Sequence, residues 1–233
     1  MPFLKNIFID TLHLFYPHVC NGCGSDLLEA DNLLCLKCIA NLPHTNFAPY
    51  PNNPIEKIFW GRIPVTAAYS EFYFSKESLI QYLVHQLKYR GNTAIGFYLG
   101  ELMGKSLLDA NRFNAIDALI PLPMFPGKER KRGYNQAEII CKGMSAVMNV
   151  PIISGIVIRG LATESQTKKH RTERWENVAE SFTVKDEIKL AGKNLLLVDD
   201  VVTTGATLEA CANSILKIHG VTLSIATLAV ATK

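Results

Sequence analysis

The chain has 233 residues, 48% of them apolar, with 24 lysines and arginines against 21 acids and a formal net charge of +3. That length holds one α/β domain plus a small appendage, and that apolar content excludes a disordered chain. The charge is too small to mark a dedicated nucleic-acid binder, so local basic clusters matter more than the total.

Residues 1–17 are apolar, but Lys5, Asp10 and His13 interrupt the run and no small-residue cleavage site follows, so an amphipathic helix is expected rather than a signal peptide. Four of the six cysteines come next as two pairs, Cys20 with Cys23 and Cys35 with Cys38, separated by eleven residues. Each pair has the spacing of a zinc knuckle, a tight turn that aims two thiolates at one ion, and Gly24 supplies backbone freedom for it. Two matched pairs point to one tetrahedral zinc. Four thiolates leave no position open for water, so that zinc is structural. A disulfide or a redox Cys-x-x-Cys does not explain why there are two pairs. Cys141 and Cys211 fall in helical patterns and read as buried apolar fillers. No stretch reaches the length of a membrane span. Free thiols without a secretion signal make the cytoplasm the expected compartment.

Proline and asparagine crowd residues 42–54, which predicts a linker and a division into an N-terminal helix and zinc module over 1–50 and a main domain over 51–233. Residues 65–74 alternate like a strand or hairpin arm. Ser78 can cap a helix through Tyr89 that Gly91 stops, and a second helix is expected over 95–110. The stretch Gly100 to Ser106 looks at first like a phosphate loop. It has three residues between its glycines where four are needed, with Leu99 in place of the first glycine. Residues 118–121 read as the first strand of a parallel sheet, followed by a loop to Gly133 and a helix over 135–148. Further strands are expected over 152–158, 195–198 and 222–230, and a helix over 208–219. This alternation is the rhythm of a doubly wound, mainly parallel sheet with ligands at the carboxyl ends of its strands.

The most informative segment is 195–208. Its four apolar residues suit a strand buried on both faces, Asp199 and Asp200 stand where the strand would emerge, and Val201 leads to the small-residue turn Thr203, Thr204, Gly205, Ala206 and Thr207 before the helix. Free N–H groups at a helix start, hydroxyls and a glycine suit a phosphate. The carboxylates would repel that phosphate, so they should face hydroxyls or a metal ion. A ribose 5-phosphate satisfies both halves. A receiver domain also begins with paired aspartates, but it would need an acceptor aspartate on a later strand, and no aspartate follows Asp200.

The segment resembles the phosphoribosyl pyrophosphate (PRPP) signature of type I phosphoribosyltransferases: four apolar residues, two acids, two apolar residues and a threonine–glycine loop. Two basic segments could supply donors for a pyrophosphate. One runs from Pro121 through Lys128, Arg130, Lys131 and Arg132 to Gln136; the other, 159–177, is a long polar loop with Lys168 and Arg171 that would suit a lid. Together with the cysteine pairs, Leu87 to Gly91, and the Lys131 to Gln136 and Gln166 to Asn177 blocks, these motifs are similar to those of the ComF family. That resemblance implies a phosphoribosyltransferase fold carrying a zinc finger and a link to natural competence and the use of external DNA. It also implies PRPP with magnesium at Asp199 and Asp200, the 5′-phosphate on 203–207, and Leu122, Pro123 and Arg132 facing pyrophosphate. Single-stranded DNA and DNA-translocation proteins are the implied partners. Glu138 or His170 could serve as a base, Tyr134 or Trp175 could stack on bases or simply pack, and His85 reads as a helix-face residue. Lys88 belongs to a family motif but receives no role from its chemistry.

Overall fold

The computed structural model describes residues 19–26, 28, 32–160 and 181–232. The helix expected over 1–17 lies outside the described residues. So does the loop from 161 to 177, with Lys168, His170, Arg171 and Trp175.

After Cys35 a short helix, α1 (Leu36–Ala40), closes the second cysteine knuckle, and α2 (Pro54–Phe59) follows. Asn53 starts α2 by accepting from Ile55 N at 2.9 Å and Glu56 N at 3.1 Å, and Pro54 occupies the position where a missing N–H does no harm. The chain continues through β1 (Ala68–Phe74), α3 (Leu79–Tyr89, capped by Ser78), α4 (Thr93–Asp109, capped by Asn92), β2 (Ala118–Pro121), α5 (Pro126–Arg132), α6 (Gln136–Met148), β3 (Val157–Gly160), β4 (Ser181–Val184), β5 (Asn194–Val202), α7 (Ala206–Ile215) and β6 (Thr222–Ala231).

Four strands form one parallel sheet in the order β1-β6-β5-β2. Along β5 the side chains alternate between two cores. Leu196 and Val198 pack with Leu83 and Leu87 of α3, Leu99 and Met103 of α4 and Ile140 and Met144 of α6. Leu195 and Leu197 pack with Ile55 and Phe59 of α2 and Leu208, Cys211 and Ile215 of α7. This three-layer α/β arrangement is the mainly parallel, doubly wound sheet that the rhythm of the sequence predicts, and burial on both faces explains why residues 195–198 of β5 read as an unbroken apolar run.

Several elements differ from expectation. The sheet begins at β1, not at 118–121; β1 is an edge strand parallel to β6, so 68–74 is not a hairpin arm. Residues 152–158 do not form one strand. Ile152 makes a single parallel bridge to Leu119, the chain turns at Gly155 with φ +72°, and β3 leaves the main sheet to pair antiparallel with β4. The basic stretch expected as loop contains α5, which Gly133 ends in the left-handed conformation, φ 88°. Residues 42–53 lie against the sheet edge: Thr45 N donates to Glu71 O at 2.9 Å and Tyr73 N to Pro43 O at 2.8 Å. Gly100 packs against α6, where a Cβ would overlap the Ile140 carbonyl, so its glycine serves helix–helix contact rather than phosphate.

Candidate functional site

β5 outruns β2. The β2 pairing ends at Val198, whose carbonyl accepts from Leu122 N at 2.8 Å, while β5 continues beside β6 to Val202. Asp199 and Asp200 therefore sit within a strand that has lost one neighbour, and strand alternation sends them to opposite faces. Asp200 turns toward α3 and accepts from Lys88 Nζ at 2.9 Å, with both side chains largely buried. Its other oxygen, Oδ2, is buried with no hydrogen-bond partner. Asp199 lies on the α7 side, where its charge helps to raise the Cys211 thiol after burial has done most of the work. Burial, then the Asp200 charge, push the Asp199 carboxyl up to about 8 against the opposing pull of Lys88 and Arg159.

The turn after β5 is braced from below. Gly205 has φ +76°, and a Cβ there would stand 2.8 Å from Ile58 Cγ2 and 2.9 Å from Phe59 Cε1, so both the conformation and the space demand glycine. Arg62, just beyond α2, donates to Thr204 O at 2.8 Å and pairs with Glu209 of α7. Thr203 and Thr204 remain exposed above this brace, and the first N–H groups of α7 have no carbonyl of their own helix to meet. Leu122, Pro123, Asp199, Asp200, Val201 and the whole 203–207 loop line one cavity of about 190 Å³. Hydroxyl acceptors on its strand side and an anion cradle on its helix side make it fit for a phosphorylated polyol.

The four N-terminal thiols come together as the spacing predicts. All four sulfurs lie within 4.8 Å of one another, and Cys23 Sγ and Cys35 Sγ are 3.7 Å apart. A tetrahedron with Zn–S bonds of about 2.3 Å has edges of about 3.8 Å, so the set fits one zinc ion. Burial raises the Cys20 thiol, but N–H donation, chiefly from Cys35, outweighs it and brings Cys20 to about 6; burial and its three neighbours hold Cys38 well above the usual thiol range.

Residues 133–233 match the model of the phosphoribosyl transferase domain. The DNA utilization protein YhgH of Escherichia coli O157:H7 is 27% identical over 211 residues, covering 89% of this chain and 88% of that one. Competence protein F of Haemophilus influenzae is 25% identical over 214 residues, 89% of this chain and 88% of its own. Competence protein ComFC of Bacillus subtilis is 33% identical over 99 residues, 42% of this chain and 38% of its own. The chain fits the ComF family.

Against the ComF pattern, the structure separates some residues and adds others. Arg132 does not line the cavity with Leu122 and Pro123. It hydrogen-bonds Gln136 and lies 5.6 Å over the Tyr89 ring, in a neighbouring basic cavity. Lys88, which the sequence left without a role, is the lysine on Asp200. Arg159 also lines the cavity, its guanidinium stacked 4.2 Å over Phe125. Its signal was the strand end at the start of the cationic loop. Asn135 is buried and pins the strand exit by donating to Leu122 O at 2.9 Å. Glu138 pairs with Lys142 at 3.2 Å and lines a further cavity of about 260 Å³ that shares Pro123, Met124, Asn135 and Arg159 with the first. Tyr134 donates its phenol to Leu87 O. No helix among the described residues is long and apolar enough to cross a membrane.

Proposed function

We propose that this chain binds PRPP or a ribose 5-phosphate, with magnesium, at the cavity formed by β5 and the start of α7, and that it serves natural competence or the use of external DNA. The observation that carries the ligand is the buried, partnerless Oδ2 of Asp200 above a braced anion loop. A buried acceptor without a donor is disfavoured by about 1–3 kcal/mol, and a ribose hydroxyl would satisfy it. Asp199 and Asp200 hold the vicinal hydroxyls and position magnesium, which would neutralise pyrophosphate charge. Thr203, Thr204, Gly205, Ala206 and Thr207 hold the 5′-phosphate. Lys88 balances the charge of Asp200, and Leu122 and Pro123 wall the pyrophosphate side. The biological setting, with single-stranded DNA and DNA-translocation proteins as partners, rests on the names of the relatives, a competence protein and a DNA utilization protein. Residues 1–50 would be the zinc module and 51–233 the phosphoribosyltransferase-like domain of a cytoplasmic protein.

A second reading, an active phosphoribosyltransferase acting on a nucleobase or amine, is favoured by the 260 Å³ cavity that adjoins the first. Calorimetric titration of PRPP and of ribose 5-phosphate with magnesium should show saturable binding that falls at least about tenfold in Asp200→Asn, the loss of one charge-assisted contact. Binding unchanged in Asp199→Asn and Asp200→Asn would sink the assignment. Pyrophosphate release with a panel of nucleobases, lost in the same variants, would decide for the enzyme.

A further inference from the structure

A separate cavity of about 420 Å³ is lined by Lys88, Tyr89, Gly91, Lys128, Lys131, Arg132 and Tyr134, with no carboxylate among them. Three of its cations, Lys128, Lys131 and Arg132, stand at i, i+3 and i+4 on α5, where like charges share one helix face and repel. The dipole of α5 accounts for Lys131 and Arg132 in the last turn but opposes Lys128 in the first. Among the described residues, none of the three pairs with a carboxylate, and α5 buries no residue in either core. A helix that stabilises no core and concentrates cations without a carboxylate partner among the described residues is suited to receive an anion.

The same cavity has an aromatic wall. Tyr89 is 69% exposed, with the Arg132 guanidinium over its ring, and Tyr134 is held in place by its bond to Leu87 O. Cations beside a flat exposed ring are the combination that binds a phosphate and a base together. We propose that this cavity is a second ligand site, for a nucleoside monophosphate, with the phosphate among Lys128, Lys131 and Arg132 and the base against Tyr89. Its volume lies in the range of small-ligand sites. Its cations come from one short helix and one helix end, enough for a single phosphate, whereas a polynucleotide needs a groove that follows several. The site is linked to the ribose phosphate cradle through Lys88, which lines this cavity and pairs with Asp200, but its own determinants are on α5 and Tyr89.

The test is calorimetric titration of AMP into the zinc-loaded full chain, with ribose 5-phosphate titrated into the same samples. The expected result is one AMP per chain, bound whether or not ribose 5-phosphate saturates the cradle. In Lys128→Ala/Lys131→Ala, AMP affinity should fall by at least about tenfold while ribose 5-phosphate binding is retained, which also shows that the variant is folded. Tyr89→Ala should weaken AMP but not inorganic phosphate. The proposal is overturned if AMP binds equally well to the double variant, if ribose 5-phosphate displaces it competitively, or if only an oligodeoxynucleotide binds. Failure of ribose 5-phosphate to bind the wild-type chain would count against the cradle alone.

Discussion

Asp200 meets Lys88 at 2.9 Å on the α3 side of β5, whereas Asp199, on the α7 side, has the Asp200 carboxylate and a buried setting to contend with. With its carboxyl raised to about 8 from an ordinary 3.8, Asp199 is protonated in the ligand-free protein at neutral pH. The sign of the linkage follows: between these two values the native chain holds a proton that the unfolded chain has released, so stability falls as pH rises from about 4 to about 8. Wild type should be about 4 kcal/mol less stable at pH 9 than at pH 5 from this group alone, and Asp199→Asn should remove that slope in urea unfolding measured at both pH values. An unchanged slope in the variant would show that Asp199 titrates normally. At this scale the acidic pair and the small-residue turn that line the cavity were legible in the sequence because they are consecutive within one strand and turn. The Lys88–Asp200 pair was not, because its members are 112 residues apart and nothing local says which acid a helix-end lysine will reach. Arg132 lines a neighbouring cavity for a related reason: its charge was visible, but the side on which α5 presents it depends on a helix that the charge-dense sequence hid.

Elements with a strong local pattern fall where expected, and those defined by a partner do not. β5, α3 and α6 carry apolar runs or capped periodicity, and Ser78 and Asn135 cap as their residue types suggest. β3 has four residues and pairs with a strand beyond the cationic loop, so no local period could reveal that it leaves the main sheet. The α4–α6 contact was not legible in the sequence, although the phosphate-loop likeness of Gly100 and Gly104 fails on spacing. Its true basis is close approach: Gly143 faces α4 so tightly that a Cβ would overlap the Phe97 carbonyl and stand 2.8 Å from Glu101 N. Backbone cannot yield as a side-chain tip can, so Gly143→Ala should destabilise the chain by about 1–3 kcal/mol in urea unfolding, the range for overpacking. Gly127→Ala, in the open first turn of α5 with no atom within 4 Å of the added Cβ, is the control and should be neutral or slightly stabilising, because alanine is the better helix former. Equal effects at the two positions would refute close packing as the role of Gly143.

At the scale of the molecule, the cysteine cluster and the cradle are linked through α3. Cys20, Cys35 and Cys38 belong to the same buried cluster as Leu83, Leu87 and Val198. Gln86 Nε2 donates to Asn21 O at 2.7 Å and Asn92 Nδ2 to Asn21 Oδ1 at 2.9 Å, which fastens the first knuckle to the end of α3 that carries Lys88. Sequence composition suggested only a linker between the two parts, because proline and asparagine mark turns but do not show what the turns rest on. A zinc ion in the four-thiol set therefore holds more than its own loop. Without it, the two knuckles would lose the centre that joins them, and the first knuckle, which buttresses α3, would lose its fixed shape. Removal of zinc by a chelator should lower Tm by at least about 5 °C, roughly what 2 kcal/mol is worth in a chain of this size. It should also weaken ribose 5-phosphate binding, since Lys88 is placed by the end of α3. Cys23→Ser, at the exposed member of the set, should reproduce both effects and make Tm insensitive to chelator. A chelator-treated chain that keeps its Tm but loses the ligand would place zinc in the binding site rather than under α3, and one that keeps both would remove the structural role of the ion.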